Sequence, residues 1–384
     1  MAQKIRLMIP GPTPVPPAVA AAMAQPLIGH RTQEFAALHA RLEKRLQQVF
    51  GTEHEVYILT SSGTGGMEAA VANTINPGDR VLALVTGKFG ERFAELAQVY
   101  GAEVEALEFG WGNPVDLGVV EDRLKRGPYK AVLATHNETS TTVVNDIKAI
   151  GELTRRYEAL LLVDAVSSLG GMEIQADAWG VDVLVTASQK ALMVPPGLAM
   201  ISLSPRAWEA VKDARAPRYY FSLPAAKKSL AKNNTPYTPA VSLFAGLDVA
   251  LEMILSEGLE KVYRRHKTYS RAVREALKAL GLKLLAPETC ASPVVTGAWA
   301  PDGLDADDLR RRILRKYGVL LAGGQAQLKG RIFRIAHMGY VDAVDLLGAI
   351  AALELGLHQT GFPVTFGAGV AAAQAVLAGG NADV

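Results

Sequence analysis

Two short apolar segments of the chain constrain its fold most strongly. Residues 160–164 read Leu-Leu-Leu-Val-Asp, and residues 181–190 read Val-Asp-Val-Leu-Val-Thr-Ala-Ser-Gln-Lys. Nearly continuous apolar runs of this kind are typical of strands that are buried on both faces, as in a parallel sheet covered by helices. Strand and helix patterns alternate from Glu55 to Lys190, which predicts one doubly wound α/β sheet.

Asp164 and Lys190 each stand at the end of one of these segments. A buried parallel sheet would bring both to its carboxyl edge, where open α/β sheets bind ligands. Pyridoxal phosphate needs such a pair, because a lysine forms its Schiff base and an acid keeps its pyridine nitrogen protonated. Taken singly, the two residues fit a solvated surface lysine and an ordinary strand-end aspartate. The pair is therefore interpreted together with its neighbours.

A glycine-rich turn follows the strand predicted at residues 55–59. It reads Thr-Ser-Ser-Gly-Thr-Gly-Gly and opens a helix that extends to about Asn73. Free backbone N–H groups at a helix start bind anions, so Ser62, Gly63 and Thr64 are candidate phosphate donors. Glycine-rich turns are common, and no Gly-Lys-Ser/Thr follows as in a Walker loop. The turn therefore indicates a phosphate site only in combination with the other candidate residues.

Three further residues are candidates for the same sheet edge or a facing strand. Phe89 follows the strand predicted at 80–85, where its ring can lie flat on a cofactor or simply pack at a helix start. Thr139 lies in the polar run 136–142, which can bind a phenolic oxygen or serve as turn and cap. Arg334 lies in the apolar strand predicted at 330–335, where a substrate carboxylate or a structural salt bridge would offset its buried charge.

Composition limits the class of protein. The chain has 384 residues, of which 49% are hydrophobic, which suggests about two domains. A net charge of +2 implies no broad attraction to nucleic acid or to a membrane surface. Cys290 is the only cysteine, so an intrachain disulfide and a cysteine metal cluster are excluded, and no metal ligands are assigned. We find no signal peptide and no membrane span, and we expect a cytoplasmic protein.

The organisation expected from these patterns has four parts. They are an N-terminal arm (1–20), a large cofactor-binding domain (21–257), a smaller C-terminal α+β domain (258–357) and an Ala/Gly-rich tail (358–384) to which no chemistry is assigned. Residues 215–232 show no clear periodicity and are expected to form a long loop.

The order of these motifs resembles the class V aminotransferases of pyridoxal phosphate fold type I, most closely the alanine/serine–glyoxylate (or pyruvate) branch. The likeness extends to about Leu357. The stretches that support it are Pro10-Gly11-Pro12-Thr13, His30-Arg31-Thr32, Ser62-Gly63-Thr64-Gly65, the run from Leu162 to Gly171, Ser188-Gln189-Lys190-Ala191-Leu192 and Phe333-Arg334-Ile335.

The resemblance implies pyridoxal 5'-phosphate as cofactor and a role for each candidate. Lys190 would form the Schiff base and move the substrate proton, and Asp164 would pair with the pyridine nitrogen. Phe89 would stack on the ring, where relatives often have Trp, and Thr139 would bind the cofactor oxygen.

The remaining implied contacts involve the phosphate, the substrate and a second subunit. Arg334 and Gly11 would bind the substrate. Asn234 and Thr235 resemble residues by which a neighbouring subunit closes the phosphate site, which implies a homodimer. The phosphate ligands from the same chain would be Ser62, Gly63, Thr64 and Gln189.

The sequence leaves several alternatives open. Cysteine desulfurases and kynureninase-like lyases share this fold, and a desulfurase would need a mobile nucleophilic cysteine, whereas Cys290 fits a small structural thiol better. Aspartate as amino donor would need a second arginine, and Arg31, Arg218 and Arg331 keep that option open. A non-catalytic subunit that binds a partner is disfavoured by the intact Lys190 and Asp164.

Overall fold

The structure is a computed structural model that describes residues 4–380. Its strands are β1 (Arg6–Met8), β2 (Val56–Ser61), β3 (Arg80–Val85), β4 (Glu103–Glu108), β5 (Ala131–Thr135), β6 (Asn137–Glu138), β7 (Val143–Val144), β8 (Leu160–Asp164), β9 (Val183–Ala187), β10 (Gly197–Leu203), β11 (Val295–Trp299), β12 (Val319–Gly323) and β13 (Ile332–Ala336).

Two of its α-helices are longer than 17 residues, the second and the tenth in chain order. They are α1 (Pro17–Met23), α2 (Gln33–Phe50), α3 (Gly63–Thr74), α4 (Lys88–Val99), α5 (Leu117–Leu124), α6 (Ile147–Arg156), α7 (Pro205–Lys212), α8 (Leu223–Leu230), α9 (Val241–Glu257), α10 (Leu259–Ala279), α11 (Ala306–Tyr317), α12 (Ala343–Gln359) and α13 (Ala368–Gly380).

The large sheet has seven strands in the order β2-β10-β9-β8-β5-β3-β4. All neighbouring pairs from β9 to β4 are parallel, and β10 is antiparallel to both β9 and β2. The prediction of a mostly parallel, seven-stranded doubly wound sheet is therefore confirmed.

Both faces of this sheet are covered by helices. Leu161 and Val163 of β8 point into the core formed with α2, α6 and α9, whereas Leu160 and Leu162 point into the core formed with α3, α4, α7 and α8. Burying an aliphatic side chain of this size stabilises a fold by roughly 1.5–3 kcal/mol. The continuous apolar pattern of residues 160–163 is thus explained by burial on two sides.

A second, four-stranded sheet has the order β1-β12-β13-β11. Its first strand comes from the N-terminal arm, because Arg6 to Met8 pair in parallel with Val319 to Leu321. Helices α10, α11 and α12 pack over it. The arm is therefore extended as expected, but it is also an integral strand of the C-terminal sheet.

Three segments differ from the expectation or add to it. The expected loop at 215–232 contains α8, whose Leu223, Ala226 and Leu230 are buried, so that part of the prediction was wrong. Helix α1 begins within the arm. The tail forms α13, which packs against α10 and α12.

The predicted domain boundary falls at Gly258, which separates α9 from α10 and has a φ of +88°. The division into four parts stays a prediction, to which the pairing of β1 with β12 adds a link across the chain. Across residues 4–380, we find no helix with the length and apolar character needed to cross a bilayer.

Candidate active site

The carboxyl edge of the large sheet brings Asp164 and Lys190 together. Asp164 is the last residue of β8, pairs with Thr135 of β5 and Val185 of β9, and is 3% exposed. Lys190 lies three residues after the end of the neighbouring strand β9. One carboxylate oxygen of Asp164 accepts a hydrogen bond of 2.8 Å from the Val166 N–H. The parallel arrangement of β8 and β9 thus places both predicted residues at one edge.

Burial and charge shift the pKa of each member of this pair. Burial raises the pKa of Asp164 to about 6, and Glu138 adds to that effect, while the Val166 N–H, Lys190 and Arg92 oppose it. Burial lowers the pKa of Lys190 to about 8 against the attraction of Asp164, and Arg334 and Arg92 lower it further. An amine with a lowered pKa loses its proton readily, as a nucleophile or base must.

The N-terminal arm lies directly on Lys190. The lysine Nζ donates to the Pro10 carbonyl oxygen, and the Thr13 hydroxyl donates to the Lys190 carbonyl oxygen at 2.8 Å. A Cβ atom on Gly11 would lie 2.6 Å from the Lys190 Nζ, and Gly11 has a φ of +134°. Only glycine fits this close approach, so the arm places Gly11 in the site as the resemblance implied.

The predicted phosphate cup is the start of α3. Ser62 precedes the helix without forming a side-chain cap, which leaves its hydroxyl free of that role. A Cβ atom on Gly63 would lie 2.7 Å from the Val166 side chain, so the cup directly adjoins the loop after Asp164. Thr64 Oγ1 accepts a long hydrogen bond of 3.4 Å from Arg92. The start of α3 and the end of β8, which carries Asp164, are thus neighbours.

Gln189 supplies an unpaired polar atom beside Lys190. Its Oε1 is buried and has no hydrogen-bond partner in the part of the chain that the structure describes. An orphaned buried acceptor is costly, and the side-chain amide can rotate to present N–H donors to an anion instead. This supports the predicted phosphate contact of Gln189.

Phe89 lies at the start of α4 and is partly buried. The Arg92 guanidinium carbon stands 4.9 Å from the centroid of its ring. Arg92 was not among the sequence-predicted site residues, although its charge acts on both Asp164 and Lys190. Its spacing of three residues from Phe89 puts the two on one helix face, which is the signal that could have found it.

Arg334 is buried, 4% exposed, on the strand β13. Its Nε and Nη2 donate to the Gly323 carbonyl oxygen at 2.9 and 2.6 Å, and its Nη1 donates to the Thr139 carbonyl oxygen at 2.5 Å. Among the described residues no carboxylate forms an ion pair with it. Burial lowers the pKa of Arg334 to about 10, and the nearby charge of Glu138 opposes this.

These bonds bear on the two partners proposed for Arg334. A structural salt bridge is not observed within residues 4–380, and the backbone carbonyls occupy only part of the five guanidinium N–H donors. Thr139 is buried beside it and contributes its carbonyl oxygen. The remaining donors can bind a substrate carboxylate.

Asn234 and Thr235 lie elsewhere in this chain. Arg31 donates to the Asn234 Oδ1 and to the Thr235 carbonyl oxygen, and the Thr235 hydroxyl donates to the Tyr237 carbonyl oxygen at 2.7 Å. No hydrogen bond recorded for residues 4–380 joins either of them to the start of α3. Thr235 lies beside Thr60 at the end of β2, and within the described residues its bonds and those of Asn234 go to other partners than the cup.

The single cysteine lies outside the site. Cys290 is buried next to Val143 and Ala286, and its thiol is 3.6 Å from the Pro287 carbonyl oxygen. Burial raises its pKa, which makes the thiol less reactive. This environment agrees with a structural thiol and gives no support to desulfurase chemistry.

The fold and the residues at this sheet edge define a cofactor-dependent enzyme of the α/β class. Comparison with known proteins shows its family. The family model for "Aminotransferase class-V" matches residues 7–338. The chain therefore belongs to the class V aminotransferase family, whose cofactor is pyridoxal phosphate, and it is a transaminase. The resemblance predicted from the motifs is confirmed.

Curated relatives match nearly the whole chain. It is 46% identical to the "Soluble hydrogenase, small subunit" of a Synechococcus species, over 98% of this chain and 99% of the relative. It is 42% identical to the L-aspartate–glyoxylate aminotransferase of Paracoccus denitrificans, over 96% and 95%. It is 39% identical to the serine–glyoxylate aminotransferase of Methylorubrum extorquens, over 97% and 95%.

Solved structures agree on the fold. The pyridoxamine–pyruvate aminotransferase of Mesorhizobium loti superposes with a TM-score of 0.95 at 33% identity, over 98% of each chain. The alanine–glyoxylate aminotransferase of a Nostoc species gives a TM-score of 0.90 at 33% identity, over 93% of this chain and 96% of that one. The predicted fold type I is therefore confirmed.

The residues at the sheet edge fit pyridoxal phosphate. Gly11 and Gly63 have no space for a Cβ atom beside Lys190 and Val166, so the backbone can come close to a bound group there, and the buried Gln189 Oε1 lacks a partner within the described residues. Asp164 and Lys190 provide the acid and the amine that the cofactor requires.

Proposed function

We propose that this protein transfers the amino group of a small amino acid, alanine or serine, to a 2-oxo acid such as glyoxylate or pyruvate. The observation that carries the proposal is the buried Arg334, which has no acidic partner among the described residues and acts electrostatically on Lys190. One guanidinium with free donors suits one carboxylate.

The three arginines that kept aspartate open as the amino donor each have other partners among the described residues. Arg31 is bonded to Asn234 and to the following backbone, Arg218 donates to Asn73 and to Ala216, and Arg331 lies over the ring of Trp299. These engagements support a monocarboxylic donor. Aspartate remains the alternative donor, because one relative is named for it.

The chain's own groups would divide the chemistry as follows. When bound, pyridoxal phosphate supplies an electron sink for the charge left when the substrate loses its α-proton. Lys190 Nζ would take and return that proton, Asp164 would hold a proton on the ring nitrogen with a charge-assisted bond, and Phe89 would orient the ring. Ser62, Gly63, Thr64 and Gln189 would hold the phosphate, and Thr139 the ring oxygen.

We further propose a cytoplasmic homodimer with shared active sites, in which Asn234 and Thr235 serve the neighbouring subunit's phosphate. Their bonding to Arg31 rather than to the helix start of their own chain supports this assignment. The single cysteine fits a reduced compartment.

The test compares wild type, Lys190→Ala and the exposed control Lys148→Ala. Wild type should be yellow, lose colour with borohydride and use alanine or serine faster than aspartate with glyoxylate. Lys190→Ala should keep reversible cofactor binding and lose turnover by at least about 100-fold, because the proton transfer has no base. The control should match wild type.

Two outcomes would contradict the proposal. Unchanged turnover in Lys190→Ala would remove the assigned base, and a preference for aspartate would favour the alternative donor. A colourless wild-type protein that stays inactive with added pyridoxal phosphate would instead support a non-catalytic partner subunit, a possibility that the name of the Synechococcus relative raises.

A further inference from the structure

A buried carboxylate that has no assigned role lies behind the site. Glu138 is fully buried at the end of β6 and accepts four hydrogen bonds. Its Oε2 accepts from the N–H groups of Phe89 and Gly90 at 2.9 and 3.1 Å. Its Oε1 accepts from the N–H and the hydroxyl of Ser140 at 3.0 and 2.6 Å. Burial raises the pKa of Glu138, and these four hydrogen bonds oppose that shift because they favour the ionised form.

Glu138 fixes the start of α4. The two amides that it binds are among the first N–H groups of that helix, which have no partners within the helix and carry its positive dipole end. The Ser140 hydroxyl accepts from the Lys88 N–H at 3.0 Å, so three consecutive amides are held. A Cβ atom on Gly87 would lie 2.6 Å from the Glu138 Cγ, which shows how closely the two segments pack.

The same segment holds the substrate arginine. Thr139, the next residue, accepts the Arg334 Nη1 bond through its carbonyl oxygen. The charge of Glu138 raises the pKa of Arg334 and that of Asp164, so it acts on both. Within the described residues, Glu138 is the carboxylate whose charge acts on the pKa of Arg334. Glu138 is therefore the nearby counter-charge of a guanidinium that makes no ion pair.

We infer that Glu138 is a positioning residue that holds in place both Phe89, which would contact the cofactor ring, and Arg334, which would bind the substrate carboxylate. Through the Phe89 and Gly90 amides it sets the helix that presents the Phe89 ring and the Arg92 guanidinium. Through the adjoining Thr139 carbonyl and its own charge it holds Arg334. The inference rests on the proposed function, since it specifies how that site is held in shape.

The first experiment replaces Glu138 by Gln, with Glu152→Gln as an exposed control of the same chemistry. The variant should bind pyridoxal phosphate about 10- to 100-fold more weakly and, at saturating cofactor, show a larger rise in KM for the 2-oxo acid than fall in kcat. Misplacement of about 1 Å at a site can cost 100-fold. In the cofactor-free chain, amide exchange at the start of α4 or at Ser140 should accelerate, because glutamine has one acceptor oxygen and cannot serve the α4 amides and Ser140 together.

A second variant guards against misfolding of the first. Ser140→Ala keeps the Glu138 charge but removes the hydroxyl that bridges it to the Lys88 N–H. It should weaken cofactor binding by less than Glu138→Gln does and leave KM nearly unchanged, because Arg334 keeps its counter-charge.

The outcomes separate this inference from the proposed function. If Glu138→Gln keeps the wild-type cofactor affinity and KM, or changes only the unfolding temperature, the positioning role is wrong. If Glu138→Gln does not fold, an unaltered cofactor affinity in Ser140→Ala overturns it. Wild type without transaminase activity would refute the proposed function alone, since the exchange of the α4 amides in the cofactor-free chain still tests what Glu138 holds.

Discussion

Burial of the Asp164 carboxylate in the active site lowers the stability of the folded protein. It is 3% exposed, and burial, with the charge of Glu138, raises its pKa from 3.8 to about 6. Above pH 6 the carboxylate is charged in both the folded and the unfolded chain, so the folded state bears the full cost of burying it. Below pH 3.8 it is neutral in both states and that cost is absent. A gap of this size in pKa corresponds to roughly 3 kcal/mol.

We therefore predict that Asp164→Asn stabilises the cofactor-free protein in a pH-dependent way. The free energy of unfolding should rise by up to roughly 3 kcal/mol at pH 8 and by much less near pH 4, because only the ionised aspartate is costly. Denaturant unfolding of both proteins at the two pH values measures this. The charged groups that face Asp164 are Glu138, Lys190 and Arg92, and their effects on its carboxylate are already contained in the pKa of about 6.

The same substitution should weaken the cofactor complex, since the carboxylate that would pair with the ring nitrogen is lost. Stabilisation at a functional site with loss of function is a common trade-off. An equal gain in stability at pH 4 and pH 8, or a loss at both, would show that the buried charge of Asp164 is not the source.

Single residues differed in how well they could be predicted from the sequence. Lys190, Asp164 and Arg334 could be identified because each is a charged residue at the end of, or within, an apolar strand, and that contrast is visible locally. Arg92 carried only its helical spacing from Phe89 as a signal, and Glu138 could not be identified, because its role depends on which strand ends lie side by side. Glu138 lies in a run that, by itself, indicates only turn and cap chemistry.

At the scale of elements, local periodicity located the strands well and their partners poorly. Strands β3, β5 and β8 begin and end where their apolar runs do. The antiparallel direction of β10 and the pairing of β1 with β12 depend on contacts between distant segments, which no local pattern encodes. Helix α8 was missed because it is only eight residues long and has a proline, Pro224, in its first turn.

The C-terminal helix illustrates a second buried glutamate used as a helix anchor. Glu354 of α12 is 3% exposed and accepts from the N–H groups of Gly367, Gly369 and Val370 at 2.8, 2.9 and 3.2 Å. These donors lie at the start of α13, where the helix dipole favours a negative charge. An uncharged Ala/Gly-rich helix is thus fastened at its start by one carboxylate.

We predict that Glu354→Ala releases α13 without unfolding the rest of the protein. Hydrogen bonds to a charged group contribute about 1.5–3 kcal/mol, and little else polar holds this helix. Hydrogen exchange of the amides in residues 368–376 should accelerate, while those of the large sheet keep their protection. Glu152→Ala on α6 is the control, and unchanged exchange in the tail of Glu354→Ala would show that apolar packing against α10 suffices.

At the scale of the whole molecule, the N-terminal segment and the C-terminal sheet both contribute residues to one site. The N-terminal segment pairs with the C-terminal sheet through β1 and then crosses Lys190 at Gly11. Arg334 reaches the same edge from β13. Asn234 and Thr235 are bonded to Arg31 and to the Tyr237 backbone, with no hydrogen bond to the start of α3 within residues 4–380. We expect them to bind the phosphate of another copy.

Shared sites predict that two inactive variants restore each other. One variant is Lys190→Ala, and the other is the double variant Asn234→Ala/Thr235→Ala, each checked first for an unaltered oligomeric state. In a mixed dimer, one site combines the intact Lys190 of one subunit with the intact Asn234 and Thr235 of the other. Random mixing makes half of the dimers mixed, each with one intact site of two, so about a quarter of the wild-type activity should return.

The result separates the two arrangements without any assumption about the substrate. If both groups of residues served the same subunit's site, every site in a mixed dimer would contain one defect, and activity would stay at the level of the separate variants. Mixing either variant with Lys148→Ala supplies the reference activity, because half of the sites are then intact in either arrangement. Restored activity above that of the separate variants requires that Lys190 of one chain and Thr235 of another act at a single site.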